Sequence, residues 1–182
     1  MKKIIVSSAL LLSVTHSSVF ANENPNNGLY SEFSYETFTE SNVDFQDIDL
    51  SYLSVLTGYK FNRNLSVEGF IGNGNSEGVI NIEGISIAAS LGTIYGIALK
   101  TEFDVSDTIN LYAKLKYASF EMKAEEGRYG IVIEDDTSDL GASLGMDFKS
   151  ERGFYGTASI SLWGVDDETT QTGFKIGLGY RF

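Results

Sequence analysis

From Gly28 to the end of this 182-residue chain the apolar side chains recur with a period of two. That spacing belongs to β-strands with two unlike faces, because successive side chains leave an extended backbone on opposite sides, whereas a helix repeats at three and four. The last nine residues are the clearest instance: Phe174, Ile176, Leu178, Tyr180 and Phe182 alternate with Lys175, Gly177, Gly179 and Arg181. Eight segments carry the pattern, residues 28–38, 47–61, 65–74, 84–103, 108–122, 131–148, 153–163 and 170–182. An even number of antiparallel strands can close with both ends on one side, which predicts an all-β, eight-stranded antiparallel up-and-down transmembrane β-barrel. The only proline, Pro25, precedes the first segment and interrupts no ladder.

In the fourth segment Ile85, Ile87, Ala89, Leu91, Thr93, Tyr95, Ile97, Leu99, Thr101 and Phe103 share one face. Ile109, Leu111, Ala113, Leu115 and Tyr117 do so in the fifth, and Leu140, Ala142, Leu144, Met146 and Phe148 in the sixth. The second segment is less regular: Val55, Thr57, Tyr59 and Phe61 make an outer face, but Leu50 and Tyr52 have the opposite parity, which predicts a bulge or an extension beyond the membrane. Short polar turns at 62–64, 104–107 and 149–152 alternate with longer acidic connections at 39–46, 75–83, 123–130 with 134–138, and 164–169. Short turns on one rim and long loops on the other are the pattern of outer-membrane barrels, the short ones facing the periplasm. Tyr59, Phe61, Phe103, Phe148, Phe154, Tyr180 and Phe182 all fall beside the short turns or the last residue, as an aromatic girdle at that interface would.

Alternation alone leaves two barrels open: one with its apolar face toward lipid, and a soluble, lipocalin-like periplasmic carrier with an apolar cavity. The polar face favours the first, since it is rich in glycine (Gly92, Gly96, Gly141, Gly145, Gly177, Gly179) with a few long charged side chains, as a narrow filled interior requires. Glu32, Glu36, Glu68, Lys100, Lys114, Lys116, Asp139, Lys175 and Arg181, together with Glu102 and Asp147, then point inward as a charge network. Buried charges are costly unless paired, and counting from the turns sets Glu68 beside Lys100 and Lys175 near Glu32 or Glu36. A salt-bridged plug is the first reading of that interior, and a narrow ion or small-solute channel is the alternative.

At the other end, Met1-Lys2-Lys3, the apolar run 4–12 and Ser18-Val19-Phe20-Ala21 read as a secretory signal peptide over residues 1–21, leaving residues 22–182 as the barrel domain. The exported part carries 11 basic against 25 acidic residues, a balance that repels nucleic acid. There is no cysteine for a disulfide or thiolate site, and the one histidine, His16, lies in the signal peptide. No Ser-His-acid triad or histidine-ligated metal can be assembled, so no enzyme, cofactor or metal site is expected. Asp135-Asp136 and Asp166-Asp167-Glu168 read as solvated loop acids, with weak Ca²⁺ binding as the sharper alternative, and Gly72-Asn73-Gly74-Asn75 as a hairpin tip.

The ending 177–182, Gly-Leu-Gly-Tyr-Arg-Phe, the Gly58-Tyr59-Lys60-Phe61 before the first turn, and the run 99–117 resemble the small outer-membrane β-barrel family of OmpA-type barrel domains, OmpX-like proteins and opacity-type porins. The resemblance covers essentially the whole exported chain. It implies the eight-stranded fold in the outer membrane of a Gram-negative bacterium, and contact with membrane lipid and lipopolysaccharide. It further implies insertion by the outer-membrane assembly machinery through Phe174, Ile176, Leu178, Tyr180 and Phe182 as assembly signal. The role expected is non-enzymatic, surface interaction or envelope structure, by a monomer with an extracellular surface partner.

Overall fold

The structure, a computed structural model, describes residues 27–42, 48–82, 85–126, 131–164 and 169–182. The export signal read at 1–21 and the acids 166–168 lie outside the described residues. Nine strands follow in chain order: β1 (Gly28–Asn42), β2 (Ile48–Lys60), β3 (Leu65–Gly74), β4 (Glu77–Ile82), β5 (Ile85–Asp104), β6 (Ile109–Glu126), β7 (Ile131–Lys149), β8 (Phe154–Trp163) and β9 (Thr169–Arg181). Every pairing is antiparallel. The sheet runs β3-β2-β1-β9-β8-β7-β6-β5-β4, and β3 also pairs with β5. That last ladder, from Leu65↔Thr101 to Asn73↔Thr93, closes an eight-stranded barrel.

The ninth strand comes from the segment expected to be a loop. The chain does not turn at Gly72–Asn75: Gly72 to Gly74 lie within β3, and after Asn75-Ser76 the chain resumes along β5 as β4, from Glu77↔Ser90 to Ile82↔Ile85. β3 and β4 are thus one stave broken by a step in register, from Asn73↔Thr93 to Glu77↔Ser90. The segment 123–126, expected as loop, and 134–138, which falls both in the strand segment 131–148 and among the acidic connections, belong to an unbroken β6–β7 ladder reaching Glu126↔Ile131, which places Asp135 and Asp136 on a strand. In both places the ladder's backbone hydrogen bonds override the low strand propensity of the acidic residues.

Of the two readings of β2, the bulge is absent, since its register with β1 is continuous from Gly28↔Lys60 to Glu40↔Ile48. Leu50 and Tyr52 keep the inward parity and are buried inside the barrel. The irregularity lies in β5 instead, where the register against β6 shifts between Leu91 and Ile94. That bulge turns Leu91, read as lipid-facing, to the interior together with Ile94.

Candidate functional site

Inward-facing residues of the lower half form a dense charge layer. Lys100 Nζ lies 2.7 Å from Asp147 Oδ2 and 2.8 Å from Glu102 Oε1. Arg181 approaches the same two acids at 3.5 and 3.8 Å, and Lys60 also binds Glu102. Lys114 Nζ meets Glu68 Oε2 at 2.7 Å while the Tyr30 hydroxyl donates to Glu68 Oε1 at 2.6 Å. Lys175 Nζ donates to Glu32 Oε1 at 2.5 Å, and the Tyr155 hydroxyl to Glu32 Oε2 at 3.3 Å. Lys116 Nζ reaches Glu36 Oε1 at 3.4 Å, and that carboxylate also accepts from Ser161 Oγ at 2.6 Å and Tyr52 at 2.5 Å. Rings share the load: Lys100 sits 4.4 Å from the centroid of Tyr112 and Lys116 4.2 Å from that of Trp163. Five carboxylates thus face six cations, and nearly every charge is paired as burial demands.

Two expectations about this layer change. Glu68 pairs with Lys114, not Lys100. Asp139 is not in the network: it stands at the upper end of the barrel beside Gly164, and its Oδ1 accepts from the Leu140 amide at 2.7 Å. Lys175 does meet Glu32 across the β1–β9 seam.

Above the charges lies an apolar plug that the sequence pattern did not reveal. Phe38, Leu50, Tyr52, Leu91, Ile94, Ala118, Phe120 and Trp163 are buried together inside the barrel, with Phe120 and Trp163 edge to face at 5.1 Å. Gly141 faces the Trp163 ring, where a Cβ would overlap the indole. Between plug and charges a cavity of about 20 Å³ remains, lined by Glu36, Glu68, Lys114, Lys116 and Lys175 among others, room for a single water.

Outside, polarity is reversed. Phe33, Ile97, Leu115, Leu144, Ile160, Ile176 and Leu178 are exposed, the last at 74 %. Phe174, Tyr180 and Phe182 of the expected assembly signal share this outer face. A polar interior and apolar exterior are the opposite of a lipocalin-like carrier. From Tyr95 down to Phe103 the belt is about 21 Å tall at the usual rise and tilt, close to the apolar band of an outer-membrane barrel. At its lower edge Phe154–Tyr180 and Tyr180–Phe182 pack edge to face at 4.9 and 5.2 Å. Below them Asp104 ties the three short turns together, accepting from Arg63 Nε at 2.7 Å and Lys149 Nζ at 3.0 Å. The Lys149 bond first, and the Arg63 bond after it, hold the Asp104 carboxyl below its ordinary pKa.

At the opposite rim the barrel does not end level. β7 pairs with β8 only from Gly141↔Trp163 downward. Above that point β4 and the upper parts of β5, β6 and β7 continue as a four-stranded sheet. From the Tyr117↔Leu140 pair, the β6–β7 ladder continues nine residues to Glu126↔Ile131, about 30 Å along the strands. Among the described residues no strand pairs with the outer side of β4, nor with the side of residues 131–139 of β7 that faces away from β6.

The sequence matches the family described as "Outer membrane protein beta-barrel domain" over residues 7–182. The fold is similar to that of Ail, the attachment invasion locus protein of Yersinia pestis, at 17 % identity and a TM-score of 0.62 over 86 % of this chain and 99 % of that one. It is similar to Neisserial surface protein A, with 11 % identity, a TM-score of 0.65, and coverage of 85 % and 97 %. OprG from Pseudomonas aeruginosa is a third, with 11 % identity, a TM-score of 0.57, and coverage of 86 % and 97 %. No curated protein sequence matches the chain.

Proposed function

The chain belongs to the outer-membrane-protein β-barrel domain family, and on that premise we propose that it is a non-enzymatic surface-interaction protein whose working part is the projecting sheet. Its place is the outer membrane of a Gram-negative bacterium. The observation that carries the reading is the sheet of β4 to β7, which rises past the apolar belt with two edges that are unpaired among the described residues. An open edge presents unpaired N–H and C=O groups that an extended segment of a partner can complete. The barrel below is a passive anchor, held in lipid by its exterior and filled by ion pairs and plug.

The filled interior weighs against the channel reading, because a path for ions must cross both the paired charges and the apolar layer. One neighbour, Ail of Yersinia pestis, has been crystallised in complex with the heparin analogue sucrose octasulfate. That polyanion suits this chain poorly, since β7 alone carries Glu134, Asp135, Asp136 and Asp139 above the belt. The test is a chain lacking residues 123–134, which leaves Met122-Asp135 as a two-residue turn beyond the Glu121↔Asp136 pair. It should remain in the outer membrane with heat-modifiable gel mobility and lose binding to host cells or matrix; retention of all surface binding would sink the proposal.

A further inference from the structure

The two open edges of the projecting sheet differ in chemistry. The β4 edge, Glu77–Ile82, has one acid in six residues. The β7 edge, residues 131–139, has Glu134, Asp135, Asp136 and Asp139 and neither lysine nor arginine. Its neighbour β6 adds Glu121, Glu125 and Glu126 against Lys123. Glu121 stands directly opposite Asp136, and its carboxylate is already held within the sheet by the Thr93 amide and Lys123, both at 3.3 Å, which leaves the acids of β7 as the charge on the edge itself. Since the barrel's inward charges, five acids against six cations, carry no negative excess, the large negative charge of the protein is carried elsewhere, and this sheet holds much of it.

We infer, resting on the surface-interaction reading above, that the β7 edge is the docking edge and that its occupant is a lysine- or arginine-rich extended segment of another protein, added as a further strand. The backbone of residues 131–139 supplies the hydrogen bonds, and the acidic run 134–136 of that strand selects an incoming segment of opposite charge. A second copy of this chain is disfavoured on the same ground, because its β7 edge would bring acids against acids. The β4 edge lacks the selecting charges.

The test uses the whole barrel in lipid nanodiscs with four nine-residue probes: threonine alternating with lysine, the same peptide with glutamine or with glutamate for lysine, and the lysine peptide with a central proline. The lysine peptide should bind at least about tenfold more tightly than the glutamine peptide at low salt, and the margin should shrink as salt is added. It should slow amide exchange in residues 131–139, and the glutamate and proline peptides should not bind. A Glu134→Gln, Asp135→Asn, Asp136→Asn variant with normal heat-modifiable mobility should hold the lysine peptide no better than the glutamine one. Equal binding of the lysine and glutamine peptides would overturn the basic partner while leaving edge docking intact. Binding of the proline peptide as tightly as its parent, or protection at 77–82 instead, would overturn strand addition at β7. No binding by any of the four would overturn edge docking and, with it, the reading it rests on.

Discussion

Replacing Lys175 by methionine tests whether the seam of the barrel is held by a paired charge. Lys175 on β9 and Glu32 on β1 meet at 2.5 Å, and both side chains are at least nine-tenths buried. Methionine fills much the same space but removes the cation, leaving the Glu32 carboxylate with the Tyr155 hydroxyl at 3.3 Å as its nearest donor. Stranding one member of a buried pair costs about 3 to 5 kcal/mol, since the remaining charge has lost its compensation but not its desolvation penalty. The double variant Lys175→Met, Glu32→Gln removes both charges and should recover most of that loss, because a neutral amide costs far less to bury than a carboxylate. The assay is reversible urea unfolding in phospholipid vesicles, followed by the fluorescence of Trp163, the only tryptophan, which sits in the plug and is 1 % exposed. A loss below about 1 kcal/mol for the single variant would refute the reasoning, being the value of a solvated surface pair. So would a double variant no more stable than the single one.

The plug and the lower rim give two further predictions. Phe120→Ala, which removes the ring packed on Trp163 at 5.1 Å, should cost about 3 to 5 kcal/mol in the same urea assay and still give no discrete conductance steps in planar bilayers, because the charge layer beneath remains closed; steps would favour the channel reading. Asp104 has a folded-state pKa below its unfolded one, so its turn-linking contacts stabilise fully above the ordinary carboxylate range and are lost as pH falls through the folded value. Asp104→Asn should therefore be less stable than the parent near neutrality by under about 1 kcal/mol, given solvent screening at the rim. The gap should close below about pH 4; a gap that is constant with pH would contradict the assignment.

What could be read from the sequence, and what could not, follows from which quantities are local. Strand parity is local, so the outward set from Phe33 to Leu178 and the inward charges on β6 and β9 follow from alternation alone. Parity fails where the backbone inserts a residue; Gly92 can mark such a bulge, but Gly96, Gly141 and Gly145 continue their ladders unbroken, so alternation alone puts Leu91 on the wrong side. Leu50 and Tyr52 illustrate the converse: apolar residues at inward parity look like an interruption when the interior is assumed polar throughout, yet they mark a second, apolar layer with Phe38, Phe120 and Trp163. Ion-pair partners are not local at all. Strands of a barrel tilt by about 40°, so residues at equal distance from their turns are not the ones whose side chains meet inside. Lys114, one strand further round, reaches Glu68, while Lys100 turns to Asp147 and Glu102. The acidic runs mislead for a different reason. Glu134 to Asp136 have the composition of a loop, but a ladder that already exists lower in β6 and β7 extends upward at little added entropic cost, since each new pair closes no new loop. Four acids on an edge strand that could have ended near the membrane are thus a property of the surface presented outward, and the partner that surface selects follows from their charge.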